Sequence, residues 1–202
     1  ADKYPETLYT ANLMFAKEYF KNRLKSLSKE DKEAIFDKAI NRLKFNYYEI
    51  DDSLDVYVTF ETMNNRGKDL SHLELLKNRL IYLSTLLHED DETKGRLRTD
   101  INETWKTIYE YLGKNKDNPL DDDDFLFNHW IMYFTYDRSQ SDVYAEFLLK
   151  KKFTAKNVLS GNISIKDIKN YIDSLSKCVK QWFYIFNIQY SNHSDRIKEH
   201  IQ

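Results

Sequence analysis

A polar turn at residues 60–71 holds the residue types best suited to chemistry in this chain. Asn64 and Arg66 place amide and guanidinium donors beside Gly67, a residue that suits the left-handed backbone after a helix end. Ser71–Glu74 then has the spacing of a capping box, which starts a helix. Donors crowded next to a helix N-terminus form an anion-binding corner. From spacing alone, the simpler interpretation is that these residues only cap and turn the chain.

An acidic run at Asp121–Asp124 is the other group of candidate ligands. Helical spacing places Asp124 and Asn128 on one face, and such oxygen ligands suit Mg²⁺ or Ca²⁺. Carboxylates at a helix start also cap free amides and interact favourably with the helix dipole, and we favour that role. We expect His129, which lies in an aromatic stretch, to be a hydrogen-bonded core residue rather than a ligand. The sequence therefore assigns no metal site.

Two further clusters bear on nucleic-acid binding. Lys150, Lys151 and Lys152 form a local basic patch and are a candidate phosphate contact. The simpler explanation is a solvated helix end, where cations are favoured. The aromatic residues within 182–186 are not interleaved with basic ones, so we expect core or interface packing instead of base stacking.

The composition favours long helices. Hydrophobic residues make up 41% of the 202 residues, which excludes a disordered or fibrous chain, and only four glycines and two prolines are present. The net charge of −2 excludes a global polycation, so any nucleic-acid contact must be a local patch. The chain has a single cysteine, Cys178, which favours a reducing cytoplasm. It has no signal pattern and no apolar run of about 18 to 20 residues, so we expect no membrane segment.

Apolar residues recur at steps of three and four, which predicts helices along most of the chain. The predicted helices cover about residues 7–27, 29–43, 53–63, 71–87, 97–112, 125–136, 142–152 and 164–186. A leucine stripe at Leu73, Leu76, Leu80, Leu83 and Leu87 favours core packing over a zipper dimer, because it spans only about two heptads. We expect a charged loop at 88–95 and a central buried helix at 125–136, and we expect Ile165 to Phe186 to share an apolar face.

Residues 44–50 are aromatic and β-branched enough for one short strand, whose partner the sequence does not identify. The predicted fold class is all-α (mainly α), a multi-helix bundle of about seven helices with at most one short β element. Residues 1–202 fit a single helical domain, which we expect to be part of a longer protein, and 1–112 and 113–202 are candidate subdomains.

A longer motif includes the polar turn and the helix after it: F-E-x-x-N-x-R-G-K-x-L-S-x-x-E-L-L-K-N-x-L, from Phe60 to Leu80. This motif resembles the segment shared by the Domain of Unknown Function 262 family, which includes the GmrS-like half of GmrSD modification-dependent restriction endonucleases. The order of predicted elements is similar to that family from about residue 10 to residue 190.

The resemblance implies a part in an NTP-dependent bacterial DNA restriction system that acts in phage defence. In that family a ParB-like NTPase core carries a D-G-Q-Q-R motif, and an HNH-type nuclease domain often follows the helical region. None of the four glycines here lies in a D-G-Q-Q-R motif. The resemblance therefore implies that this chain has no catalytic residue and is inactive alone. It also implies that the intact protein binds NTP, Mg²⁺ and DNA, and that the partners of this chain are the NTPase core and the nuclease domain of the same protein.

The resemblance also implies that the polar turn lies at a nucleotide pocket. Its edge would be lined by Asn64, Arg66 and Gly67, with Glu61 and Lys77 beside them. Two other functions stay open. One is a non-catalytic all-α interaction or scaffold module, and the other is a helix-turn-helix DNA reader at 53–87, which requires a positive stripe along residues 72–82.

Overall fold

The computed structural model describes residues 6–45, 70–134 and 144–190. The chain divides into two compact units, one within residues 1–54 and the other within residues 55–202. Residues 60–69 of the polar turn and most of the predicted strand at 44–50 lie outside the described residues. So do the predicted helix at 53–63 and the first residues of the predicted helix at 142–152.

The N-terminal unit contains α1 (Leu8–Lys25) and α2 (Lys29–Asp37), and α2 continues as a π-helical turn, Lys38–Arg42. The Thr7 hydroxyl caps α1 through the amide of Thr10 at 3.2 Å. The Ser28 hydroxyl accepts from the Asp31 amide at 3.0 Å, as expected for a helix start at that serine. The predicted helix boundaries are therefore confirmed to within about two residues, which is the usual uncertainty of helix ends.

The described helices of this unit carry several exposed apolar side chains. No residue of α1, α2 or the π-helical turn is buried. Phe15 is 74% exposed, Leu13 72% and Phe20 63%. Helices of this length are marginal in water without tertiary packing. Lys44 and Phe45, the described part of the predicted strand, belong to neither a helix nor a strand.

The described residues of the second unit form helices joined by short connections. The helices are α3 (His72–Leu86), α4 (Asp91–Leu112), α5 (Asp122–Tyr133), α6 (Tyr144–Glu146) continued by a π-helix (Phe147–Lys152), α7 (Ala155–Leu159), α8 (Ile165–Phe186) and a 3₁₀ turn (Ile188–Tyr190). The described residues contain no strand, and the fold is all-α as the sequence predicts. None of the described helices has both the length and the apolar composition needed to span a bilayer.

The core of the second unit contains the leucine stripe of α3. Leu73, Leu76, Leu80 and Leu83 are fully buried and Leu87 is 6% exposed, which confirms core packing. The apolar face of α4 is buried against this stripe, with Leu97, Ile101, Trp105, Ile108 and Leu112 all at 0% exposure. Burial of this kind contributes about 25 cal/mol per Å² of apolar surface, the main favourable term in folding.

The most extensive helix pair is α4 with α8, and the two helices run in the same direction. Asp100 on α4 forms an ion pair with Lys169 near the start of α8, with 3.5 Å between Oδ2 and Nζ. Near the other ends, the ring centroid of Tyr111 lies 5.8 Å from that of Phe183. The C-terminal ends of α4 and α8 therefore lie side by side.

Three expectations for this unit are wrong. Most of the predicted loop at 88–95 is helix, because the Asp90 carboxylate accepts from the Thr93 amide at 2.8 Å and starts α4 at Asp91. Helix α5 is buried on one face only, since Met132 is 60% exposed. Phe186 is 53% exposed because the buried face of α8 passes through Tyr171 and Phe183 instead.

Candidate functional site

The predicted pocket-edge residues fall largely outside the described residues. This holds for Glu61, Asn64, Arg66 and Gly67. Lys77 is described and lies on α3, where it is half-buried and its side chain forms no hydrogen bond or ion pair with another described residue. The described part of the motif is therefore its second half, from Leu70 to Leu80.

The second half of the motif begins with a complete capping box. The Ser71 hydroxyl accepts from the Glu74 amide at 3.2 Å, and the Glu74 carboxylate accepts from the Ser71 amide at 3.1 Å. Two amides at the start of α3 are thereby satisfied by side chains. The predicted capping box is confirmed, and it fixes the residue at which the chain leaves the polar turn.

The start of α3 is also tied to the start of α5. The Ser71 hydroxyl donates to the Asp122 carboxylate at 2.7 Å, and the Leu73 amide donates to the Asp123 carboxylate at 3.2 Å. The carbonyl of Leu73 accepts from the buried indole Nε1 of Trp105 at 3.1 Å. Hydrogen bonds to ionised groups are stronger than those between neutral groups. The first turn of α3 is thus held by α4 and α5 as well as by its own cap.

His72 completes this arrangement, which we call the motif anchor: Ser71, His72, Asp122, Asp123 and Tyr144. The Nδ1 of His72 lies 3.1 Å from Asp123 Oδ2 and 2.9 Å from the Tyr144 hydroxyl. The His72 side chain is 43% exposed and that of Asp123 is 32% exposed. A carboxylate beside Nδ1 fixes the orientation of the imidazole.

Burial shapes the protonation of the motif anchor. It raises the pKa of the Asp123 carboxyl above its usual range, while the hydrogen bond from the Leu73 amide and the nearby His72 oppose that rise. Burial also raises the pKa of the Tyr144 hydroxyl, and the carboxylates of Asp121–Asp124 add to the effect. Tyr144 therefore stays protonated at physiological pH and can donate a hydrogen bond.

The acidic run acts as a helix cap and as a crosslink. The Asp121 carboxylate accepts from the amides of Asp123 and Asp124, both at 2.9 Å, which confirms the capping role. Asp122 and Asp123 accept instead from the start of α3. Within residues 6–45, 70–134 and 144–190, no three His, Cys, Asp or Glu side chains are grouped so that they could hold a metal ion.

His129 is a hydrogen-bonded core residue, as predicted. It is 3% exposed, and its Nε2 lies 2.9 Å from the Ser174 hydroxyl on α8. Its ring also contacts those of Tyr133 and Tyr171. Burial lowers the pKa of His129 to about 4, because the charged imidazolium would lose its hydration.

The three lysines at 150–152 end the π-helix that follows α6. Lys150 and Lys151 are exposed and Lys152 is half-buried. The carbonyls of Lys151 and Lys152 accept from the Asn157 side chain at 2.7 and 2.8 Å, which satisfies this helix end. Their neighbour Phe153 is buried against Tyr171 and offers no ring to a base.

The described residues do not supply the positive stripe that a helix-turn-helix reader requires. Between residues 72 and 82, α3 carries Lys77 and Arg79 beside the acidic Glu74, while Leu73, Leu76 and Leu80 are buried in the core. A recognition helix needs several exposed polar side chains aimed at base edges. The DNA-reader interpretation is therefore not favoured.

A cluster that sequence reasoning missed lies where α4 and α8 end. The ammonium of Lys114 lies 4.8 Å from the ring centroid of Tyr111 and 5.4 Å from that of Phe183, and that of Lys180 lies 6.0 Å from Tyr111. The spacing of Lys180 and Tyr184 on one helix face was a usable signal. No sequence signal pointed to Lys114, because only the pairing of α4 with α8 brings it next to Phe183.

Comparison of the chain with protein-family models, with curated proteins and with solved structures gave no match.

Proposed function

We propose that this chain is the helical region of a GmrS-like, NTP-dependent DNA restriction protein that acts in phage defence. On this proposal its polar turn forms one edge of a nucleotide pocket, and the D-G-Q-Q-R core and the nuclease domain lie elsewhere in the same protein. The chain itself supplies positioning residues and no catalytic group. The motif from Phe60 to Leu80 is the sequence basis for the proposal.

The observation that carries the proposal is the motif anchor. A turn that only connects two helices needs its own caps, whereas the start of α3 also donates hydrogen bonds to Asp122 and Asp123 and accepts one from Trp105. This places the residue after the polar turn in a rigid frame. A rigid frame is what a pocket-lining segment requires, because small misplacements of a positioning group are costly.

The proposal assigns the polar turn to phosphate contact. A guanidinium such as that of Arg66 binds phosphate oxygens in a bidentate manner, and the Asn64 amide can donate to a phosphate or a ribose. Since the described residues hold no metal-binding cluster, the proposal gives them no Mg²⁺ ligand. Mg²⁺ would be held by the phosphates and by the core, as it usually is at nucleotide sites.

The test is NTP turnover by the full protein that contains this chain. Asn64→Ala and Arg66→Ala should each lower turnover at least tenfold, the loss of one charge-assisted contact. Asn65→Ala is the matched control, because it removes a neighbouring amide at a position that the motif leaves free. Unchanged turnover in both test variants, or an equal loss in the control, would refute the pocket assignment.

A second candidate function is a non-catalytic interaction module. It is favoured by the exposed apolar residues of the N-terminal unit, where α1 and α2 bury no residue. In this case the full gene product would lack NTP turnover. Hydrogen exchange over residues 8–42 would be fast in the chain alone and slow only when a protein partner is bound.

A further inference from the structure

The joined ends of α4 and α8 form a surface that combines cations with aromatic rings. We call it the lysine–tyrosine patch: Tyr111, Lys114, Lys180, Tyr184 and Tyr190. The rings of Tyr184 and Tyr190 both contact the buried Phe183, at centroid distances of 5.6 and 5.5 Å. Tyr190 is 48% exposed and Tyr184 is half-buried. Two partly exposed rings are therefore held by a third that belongs to the core.

The two lysines are positioned by the same aromatic frame. Tyr111 lies beneath the ammonium groups of Lys114 and Lys180, and its ring is 6.3 Å from that of Tyr184. Cation–π contacts of this kind restrain long side chains that would otherwise move freely. Both lysines and Tyr184 therefore contact the same ring, that of Tyr111.

The base of the patch is rigid. The Asn115 side chain donates to the Asn187 side chain at 2.6 Å, which joins the loop after α4 to the end of α8. Asn187 is buried and also donates to the carbonyl of Phe183 at 3.2 Å. A preformed surface loses little conformational entropy when a ligand binds.

The local charge differs in sign from that of the chain. Residues 110–118 and 177–190 contain four lysines and two acidic residues, whereas the whole chain has a net charge of −2. Phosphates are therefore attracted to this end of the unit against the overall charge. Lys150 and Lys151, the other basic cluster, are exposed, and the ring that follows them in the chain, Phe153, is buried.

We propose that the lysine–tyrosine patch binds single-stranded nucleic acid. Lys114 and Lys180 contact phosphates, and Tyr184 and Tyr190 stack on unpaired bases. Proteins that bind single strands without sequence preference combine these two elements, cations along the backbone and aromatic rings for the bases. Duplex DNA keeps its bases stacked on one another and would gain only the phosphate contacts. This inference stands apart from the proposed function, since it uses neither the polar turn nor a nucleotide pocket.

The experiment is fluorescence anisotropy of a labelled 20-nucleotide oligo-dT with the full 202-residue chain. A patch with two phosphate contacts and two stacked bases should give a Kd on the order of 10 to 100 μM at 50 mM salt. Lys114→Gln combined with Lys180→Gln should weaken binding at least fivefold. It should also reduce the slope of log K against log salt by about 1.4, because each single-strand phosphate contact contributes about 0.7.

The aromatic contribution is tested separately. Tyr184→Leu keeps apolar packing and removes the ring, and it should weaken binding about fivefold or more with an unchanged salt slope. Tyr190→Leu is the alternative if circular dichroism shows that the first variant is unfolded. Lys150→Gln with Lys151→Gln is the matched control, since it removes two exposed lysines elsewhere in the same unit, and it should bind as the wild type does.

Four results would overturn the inference. The first is no saturable binding of the oligonucleotide, and the second is unchanged affinity in the folded lysine and tyrosine variants. The third is an equal loss of affinity in the control variant with Lys150→Gln and Lys151→Gln. The fourth is a 20-base-pair duplex that binds as tightly as the single strand. The last result would assign these lysines to general phosphate attraction.

Discussion

Protonation of His129 should limit the stability of the second unit in acid. The imidazole is 3% exposed, and its Nδ1 has no hydrogen-bond partner among the described residues. A proton added there would create a buried cation whose new donor is unpaired. Burial lowers the pKa of His129 from 6.5 to about 4, so the unfolded chain takes up this proton more readily than the folded one.

The direction and size of this effect on the free energy of unfolding follow from the different proton uptake of the folded and unfolded states. Above about pH 7.5 both states are neutral and His129 has no effect on the free energy of unfolding. As the pH falls below 6.5, the unfolded state is stabilised by proton uptake and the folded state is not, so stability falls. The loss reaches about 2 kcal/mol at pH 5 and levels off at about 3 kcal/mol below pH 4.

The assay is urea unfolding at pH 7.5 and pH 5, followed by tryptophan fluorescence. All three tryptophans lie within residues 55–202, so the signal reports on the second unit. His129→Leu should remove about 2 kcal/mol of the difference between the two pH values, while His88→Leu, at an exposed position, should leave it unchanged. The prediction would be refuted if His129→Leu kept the wild-type difference in unfolding free energy between pH 7.5 and pH 5. An NMR titration midpoint of His129 near 6.5 in the folded protein would refute it as well.

Two further substitutions test the motif anchor and the start of α4. Asp123→Ala should lower the free energy of unfolding by about 1 to 2 kcal/mol in the same urea titration, because the Leu73 amide and His72 lose a partly screened carboxylate. Asp124→Ala is the control, since its side chain makes no such bond to α3, and it should cost less than about 0.5 kcal/mol. Gly95→Ala should raise stability by about 0.5 to 1 kcal/mol, since Gly95 lies within α4 and a Cβ there would meet no atom within 4 Å; a lower thermal midpoint would contradict this.

Most of the second unit could be predicted because its signals are local. The capping box at Ser71 and the leucine stripe of α3 act within one helix, and the structure confirms them. The predicted loop at 88–95 is wrong over residues 91–95, because the cap at Asp90 starts the helix there and outweighs the modest cost of one glycine, Gly95, in a helix.

The contacts between helices were not predictable from spacing. Carboxylates after Asp121 were expected to cap their own helix, and only the structure shows that Asp122 and Asp123 reach the start of α3. The lysine–tyrosine patch depends in the same way on the parallel pairing of α4 and α8. Helical periodicity shows which face of a helix is buried but not which helix covers it.

The candidate pocket edge had a different basis. The spacing at Asn64–Gly67 favoured a simple turn, and only the resemblance assigned it to a nucleotide. In the described part of the motif, the first helical turn of α3 is fixed by two other helices. The assignment of Asn64 and Arg66 to phosphate contact stays a prediction.

The most direct test of this account is NTP hydrolysis by the 202-residue chain alone, measured beside the full gene product under the same conditions. The account predicts turnover by the full product and none by the chain, because the D-G-Q-Q-R motif is absent from this sequence. A full product without turnover, or a chain that hydrolyses NTP as fast as the full product does, would contradict it.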